Sequence, residues 1–193
     1  MSPRTKKQLE QLKDKRRQQI MDAALELFAK EGYHATSISD IASKAGIAKG
    51  LLYNYFSSKE ELLEKIYYSG LDEILGIFDP NKDGVLTNEE MKFFIDELFH
   101  MAKRRPDFWK LYFSLTLQPS VQSQFKGHNI RELADPFFIE MADYLRRLKF
   151  KNPEEEAYIF HCLMDGIFIN YTLDPENFPV EKVKKTLLAR YTK

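Results

Sequence analysis

Residues 23–62 read AALELFAKEGYHATSISDIASKAGIAKGLLYNYFSSKEEL, and this stretch decides the N-terminal architecture. A first helix, predicted from about Leu9 to Lys30, buries Ile20, Ala23, Ala24, Leu27 and Phe28, which follow the i, i+3, i+4, i+7 rule. Gly32 stops it. Thr36 or Ser37 can cap a short helix over 38–44. Ala45 and Gly46 make a tight turn, and a second short helix follows from about Lys49 to Tyr55. Ser57 or Ser58 then caps a longer helix that carries Glu60 and Glu61 in its first turn and runs to about Phe78.

Two short helices joined by a small-residue turn make a helix-turn-helix, whose second helix can enter a major groove. Ile38, Ile41, Ala42, Ile47, Leu52 and Phe56 would form its small core. Lys49, Gly50, Tyr53 and Asn54 would point outward. Lysine neutralises phosphate, asparagine pairs with adenine or phosphate, a tyrosine hydroxyl reaches phosphate oxygens, and glycine lets the backbone approach closely. The spacing by itself fits a generic helical hairpin equally well.

The charge is distributed to match. The chain of 193 residues carries 29 Lys and Arg against 29 Asp and Glu, a net charge of zero that by itself argues against a nucleic-acid binder. Residues 1–59 nevertheless hold 11 basic and 6 acidic side chains, and residues 60–193 hold 18 and 23. Much of the excess lies in a basic arm, residues 1–17. Such asymmetry between the two parts points to an anionic partner at one end, although a basic arm is also what a solvated tail looks like.

The residues are more specific than their spacing. Leu27-Phe28, Gly32-Tyr33, Thr36, Ile41-Ala42, Ala45-Gly46, Lys49-Gly50, Tyr53, Tyr55-Phe56 and Lys59-Glu60 together resemble the DNA-binding domain of the TetR (tetracycline-repressor-like) family. The resemblance implies a homodimeric, all-helical transcription regulator, usually a repressor, that binds a double-stranded DNA operator and is released by a small-molecule effector. It implies that Thr36 contacts phosphate at a helix start, and that Lys49, Gly50, Tyr53, Asn54, Tyr55 and Lys59 meet DNA. Ala48 and Leu51 depart from the small polar residues common at their positions, which leaves the operator sequence open.

The remainder also reads as helical. The expected fold class is all-α: a three-helix helix-turn-helix domain over 1–58 and a helical dimerisation and ligand domain over 59–193. Further helices are predicted at 88–104, 107–117, 131–149, 153–172 and 180–191, punctuated by Pro106, Pro136, Pro153, Pro175 and Pro179, while 118–130 is ambiguous. The helices at 131–149 and 153–172 are candidates for a dimer bundle. Ile159, Leu163, Ile167 and Tyr171 form a stripe that faces either a partner or the subunit's own core. Phe94, Trp109, Tyr112, Phe113 and Phe137 belong to an aromatic-rich set that would line an effector pocket or simply pack the core.

Residues 79–90, DPNKDGVLTNEE, fit the spacing of a twelve-residue EF-hand calcium loop between two helices. Asp79, Asn81, Asp83, Val85 (through its carbonyl), Thr87 and Glu90 would supply the hard oxygens calcium takes, with Gly84 at the sharp turn. A polar loop between helices has a similar composition. If calcium is bound, it would bias the helix ending at Phe78 and so modulate operator affinity. The alternative function is a calcium-binding interaction protein for which DNA binding is secondary.

No catalytic constellation is expected. His161 and Asp165 lie one helical turn apart, the spacing of a structural pair. A single cysteine, Cys162, excludes an intramolecular disulfide, and neither a secretory signal nor a membrane-length apolar run is visible, so a cytoplasmic protein is expected.

Overall fold

A computed structural model describes residues 5–116 and 130–192, with side chains described for all of these except 116 and 130–134. Most of the ambiguous stretch 118–130 therefore lies outside the described residues, as do the first four residues of the basic arm. The described chain is all-helical, as expected: α1 Lys6–Glu31, α2 Ile38–Lys44, α3 Lys49–Leu52, α4 Lys59–Phe78, α5 Asn88–Arg104, α6 Pro106–Thr116, α7 Ile130–Arg147, α8 Pro153–Leu173 and α9 Val180–Tyr191. None of these helices is long and apolar enough to cross a membrane. Two compact units divide at Ser69 and Gly70, inside α4, whereas the sequence alone suggested a boundary near residue 58.

In the N-terminal unit, α1 begins earlier than expected because Thr5 and Gln8 form a capping box. Its first turns carry Lys6, Lys7, Lys13 and Lys15 into solvent, so this part of the basic arm is helical. Ile20, Ala23, Ala24 and Phe28 are buried as predicted, together with Leu25, while Leu27 is only half-buried. Gly32, at φ +87°, ends the helix. Ser37, and not Thr36, caps α2 through a reciprocal box with Asp40.

At the end of α2, Gly46 sits at φ +64°, where a side chain is strained, and the Ile47 N–H reaches back to the Ala42 carbonyl at 2.9 Å. This left-handed residue turns the chain between the two helices of the motif. The helix that follows is shorter than predicted. Ala48 offers no side-chain cap, Gly50 is a poor helix former, and regular α-helix lasts only four residues. Beyond Leu52 the turn tightens, with the Asn54 and Tyr55 N–H groups bonding to Leu51 and Leu52 carbonyls at 3.1 and 2.9 Å. Ser58 Oγ accepts from the Glu61 N–H to start α4.

In the C-terminal unit, α5 ends at Arg104 and Pro106 opens α6, so that proline separates two helices as expected. Pro136 does not punctuate. It lies inside α7, with its ring exposed. α7 and α8 pack along each other, and Phe94, Ile95, Phe99, Phe108, Leu145, Phe160 and Phe168 fill the core. Burying each such side chain contributes about 1.5–3 kcal/mol. Tyr144 binds α9 by donating to the Tyr191 carbonyl at 2.7 Å, and burial pushes its hydroxyl pKa up to about 12.

Candidate nucleic-acid interface and ligand cavity

The turn at Gly46 places the start of α3 on the surface. Lys49, Gly50, Tyr53 and Asn54 are all exposed, as are Ala48 and Leu51, while Leu52 and Phe56 on the opposite side are buried. The small core thus orients α3, and the outward residues are those whose chemistry suits phosphate and base edges. Lys49 makes no ion pair among the described residues. Tyr55 is half-buried at the edge of this face.

Two residues assigned to this surface by resemblance are placed differently. Thr36 is 1% exposed, and its hydroxyl donates inward to the Gly32 carbonyl at 2.9 Å, so its side chain is not presented to a phosphate. Lys59 is half-buried. Its ammonium donates to the Tyr33 and Thr36 carbonyls, each at 2.8 Å, and lies 4.4 Å from the centroid of the Tyr33 ring. Lys59 therefore closes the α1–α2 loop from below, satisfying carbonyls the loop leaves unpaired. Nothing in the linear pattern separated this lysine from Lys49, because both are basic residues in the same matched stretch. Arg17, on α1, supports the same unit by lying 4.6 Å over the Phe56 ring and 3.9 Å from Glu61. Hydrogen bonds from the Ser57 hydroxyl and N–H hold the Glu61 carboxyl below the usual carboxylate range.

The C-terminal unit contains a half-open cavity of about 160 Å³. Among the described residues its wall comes from Leu71, Ile74 and Leu75 on α4, Phe94 and Leu98 on α5, Trp109 and Tyr112 on α6, Phe137 and Phe138 on α7, and Phe160, His161, Met164, Asp165 and Phe168 on α8. Four of the five predicted pocket residues, Phe94, Trp109, Tyr112 and Phe137, line it. Phe113 does not, because it stacks on Trp109 at 5.8 Å between ring centroids and stays behind that wall. The spacing of His161 and Asp165 predicts a structural pair. They do pair, at 3.5 Å, but on the cavity wall, and burial raises the Asp165 carboxyl pKa against the opposing pull of His161. The indole Nε1 of Trp109 is buried and has no hydrogen-bond partner among the described residues.

The loop between α4 and α5 has the turn of an EF-hand loop without a gathered ligand set. Gly84 is at φ +72° and Lys82 at +58°, so the chain bends sharply where the motif places its glycine. Asp79 Oδ2 accepts from the Gly84 N–H at 3.1 Å, Asn81 Oδ1 from Asp83 at 3.0 Å, and Asp83 Oδ1 from Val85 at 2.8 Å. Thr87 and Glu90 form the capping box of α5. Among the described residues no three His, Cys, Asp or Glu side chains are close enough together to hold a metal ion. A residue that sequence reasoning missed stands beside the loop. Glu140, on α7, has its carboxyl pKa raised by burial and by the charges of Asp79 and Asp83. Both Glu140 Oε2 and Asp79 Oδ1 are buried without a hydrogen-bond partner.

Comparison with known proteins agrees with this arrangement at the N-terminal end. Residues 20–66 match the family of bacterial regulatory proteins, tetR family. The uncharacterized HTH-type transcriptional regulator YfiR of Bacillus subtilis (strain 168) is 35% identical over 98 residues, covering 51% of this chain and 46% of that protein. The HTH-type transcriptional repressor KstR2 of Rhodococcus jostii (strain RHA1) is 44% identical over 64 residues, covering 33% and 31%. The chain thus spans less than half the length of these two curated relatives. At the level of fold the likeness extends further: the transcriptional regulator FadR from Bacillus subtilis, solved in complex with stearoyl-CoA, superposes with a TM-score of 0.71 over 91% of this chain and 97% of that one, at 18% identity. Residues 20–66 thus match the model of the tetR family of bacterial regulatory proteins, and the described chain shares its all-helical fold with the FadR structure.

Proposed function

We propose that this protein is a DNA-binding transcription regulator of TetR type, acting as a repressor whose operator affinity falls when a small apolar ligand enters the C-terminal cavity. The observation that carries the reading is the exposed face at Lys49, Gly50, Tyr53 and Asn54, held outward by the buried Leu52 and Phe56. Gly50 adds to it. A Cβ at that position would meet nothing within 4 Å, so no internal contact demands glycine, yet glycine weakens a helix by about 1 kcal/mol against alanine. Close approach of another molecule's backbone accounts for that residue.

The active form is a homodimer, with two α3 helices reading half-sites about one helical turn apart or a little more. Ile139 on α7 and Tyr158, Ile159 and Leu163 on α8 are large apolar side chains left exposed in the single chain, which supports pairing through these helices. Ile167 and Tyr171, the rest of the predicted stripe, are half-buried. Ligand acts through α4, which carries Leu71, Ile74 and Leu75 of the cavity wall toward one end and Lys59 at the other. Such coupling requires that ligand bind two conformations unequally. Gel shift of duplexes recovered from a random pool, with wild type and Lys49→Ala, tests DNA binding. Equal retention by the two proteins would count against the assigned face.

A second reading, calcium binding at 79–90, is favoured by the buried, unpartnered oxygens of Asp79 and Glu140 beside a loop with EF-hand spacing. The loop side chains would have to turn from backbone N–H groups toward the ion. In calorimetry, calcium uptake by wild type that is lost in Glu90→Gln supports the site, and equal heats for the two proteins refute it. Operator affinity that is the same with calcium and with chelator would refute the regulatory part.

A further inference from the structure

Three exposed residues of the helix-turn-helix form one row. The Leu51 N–H donates to the Ala48 carbonyl at 2.9 Å, and the Asn54 N–H donates to the Leu51 carbonyl at 3.1 Å. These are i to i+3 bonds of a tightened turn, in which residues three apart lie one above the other. Ala48, Leu51 and Asn54 are all exposed. The row therefore carries a methyl, then an isobutyl group, then a carboxamide.

Leu51 is the member that the fold does not account for. It is 40% exposed, and within residues 20–66 Leu51 and Tyr53 are the large apolar side chains left on the surface. Ile41, Leu52 and Phe56 fill the small core of the motif without it. A leucine exposed at random on a surface needs no explanation. This one lies in the middle of the face assigned to DNA, with Lys49 and Gly50 before it and Tyr53 and Asn54 after it.

Leucine has no hydrogen bond to offer a base edge. Laid over the polar edge of guanine, adenine or cytosine, it would strip water from donors and acceptors and replace none of their bonds. The major groove holds one apolar feature that suits it, the C5-methyl group of thymine. We infer that Leu51 is a specificity-determining residue that reads the C5-methyl of a thymine in each half-site, with Ala48 extending the apolar contact. This rests on the reading of α3 as the helix that enters the groove, and it names how the middle of that helix selects sequence.

The test uses the full chain and a duplex enriched from a random pool. Each thymine is replaced in turn, in both half-sites at once, by deoxyuridine. That change removes only the methyl and leaves every hydrogen-bonding atom of the base in place. In fluorescence anisotropy, one symmetry-related pair of thymines is expected to matter, its replacement weakening binding by wild type about fivefold to fifteenfold. Leu51→Ala is expected to bind the thymine and deoxyuridine duplexes alike. Leu51→Met keeps a large apolar side chain and is expected to keep the preference, and its loss there would count against an apolar contact. If no thymine responds, or if Leu51→Ala responds at the same pair as strongly as wild type, the inference is overturned while the DNA-binding face stands. If no duplex is enriched at all, the reading beneath it falls as well.

Discussion

The face around α3 and the cavity lined by Trp109 dispose of their polar groups in opposite ways. On α3 and in the turn that follows it, Lys49, Tyr53 and Asn54 stand in solvent. Along the cavity the described lining is mostly apolar, His161 pairs with Asp165, and the Trp109 Nε1 is buried within the wall. A surface that meets a polyanion can keep its donors hydrated until the partner arrives. A mostly apolar wall has few such donors to offer, and its acid is engaged within the chain, Asp165 standing 3.5 Å from His161. The contrast also separates two lysines in one stretch, Lys49 free and Lys59 engaged by the α1–α2 loop.

The comparison can be broken first by salt. Affinity for an operator duplex should fall about a hundredfold or more between about 50 and about 200 mM salt, because several phosphates are neutralised at once. An effect of cavity ligand on affinity should persist at both salt levels. Next, the lysines should part. Lys49→Ala should weaken operator binding about tenfold with an unchanged melting temperature, read by anisotropy and calorimetry. Lys59→Met should lower the melting temperature by about 5 °C, since it strips an ammonium from two short carbonyl contacts. Equal effects on both readouts would erase the distinction.

Gly70→Ala probes the packing of the C-terminal unit. A Cβ there would lie 1.9 Å from an atom of the buried Phe108 ring, next to Trp109 in sequence, and overpacking should lower the melting temperature by about 4 °C. Gly50→Ala should do the reverse. It should raise the melting temperature by about 2 °C and still weaken DNA binding, because the space around it is open only in the absence of DNA.

The smallest effect concerns Glu140. A carboxyl whose folded-state pKa lies above its ordinary 4.5 is favoured in its protonated form by the fold, so it withdraws stability as pH rises through and above that value. Glu140→Gln should therefore raise the melting temperature by about 2 °C at neutral pH and by nothing near pH 4. A gain that did not change with pH would assign the effect to packing instead.

Much of this was legible in the sequence. Helical periodicity and the positions of Gly32, Gly46 and most of the prolines placed the helices within a few residues, because these breakers act locally. Pro136 escaped because its effect depends on the rest of α7. The resemblance located the α3 face, but it could not show that Thr36 points inward or that Lys59 binds carbonyls, since both depend on how the α1–α2 loop folds back. The aromatic set of the cavity was visible as composition. Which members face inward depends on packing between helices distant in sequence: Phe113 lies behind Trp109, and His161 and Asp165 reach the wall. Glu140 was invisible beside a loop some fifty residues earlier for the same reason.

The proposed function stands or falls with the reading of DNA by the exposed face of α3. The most direct measurement is fluorescence anisotropy on duplexes enriched from a random pool, comparing wild type with Lys49→Ala and with a duplex of scrambled sequence. The account predicts enrichment of paired half-sites, tight binding by wild type, about tenfold weaker binding by the variant, and a clear loss on scrambling. Failure to enrich any sequence, or equal affinity of the two proteins for the enriched duplex, would contradict it.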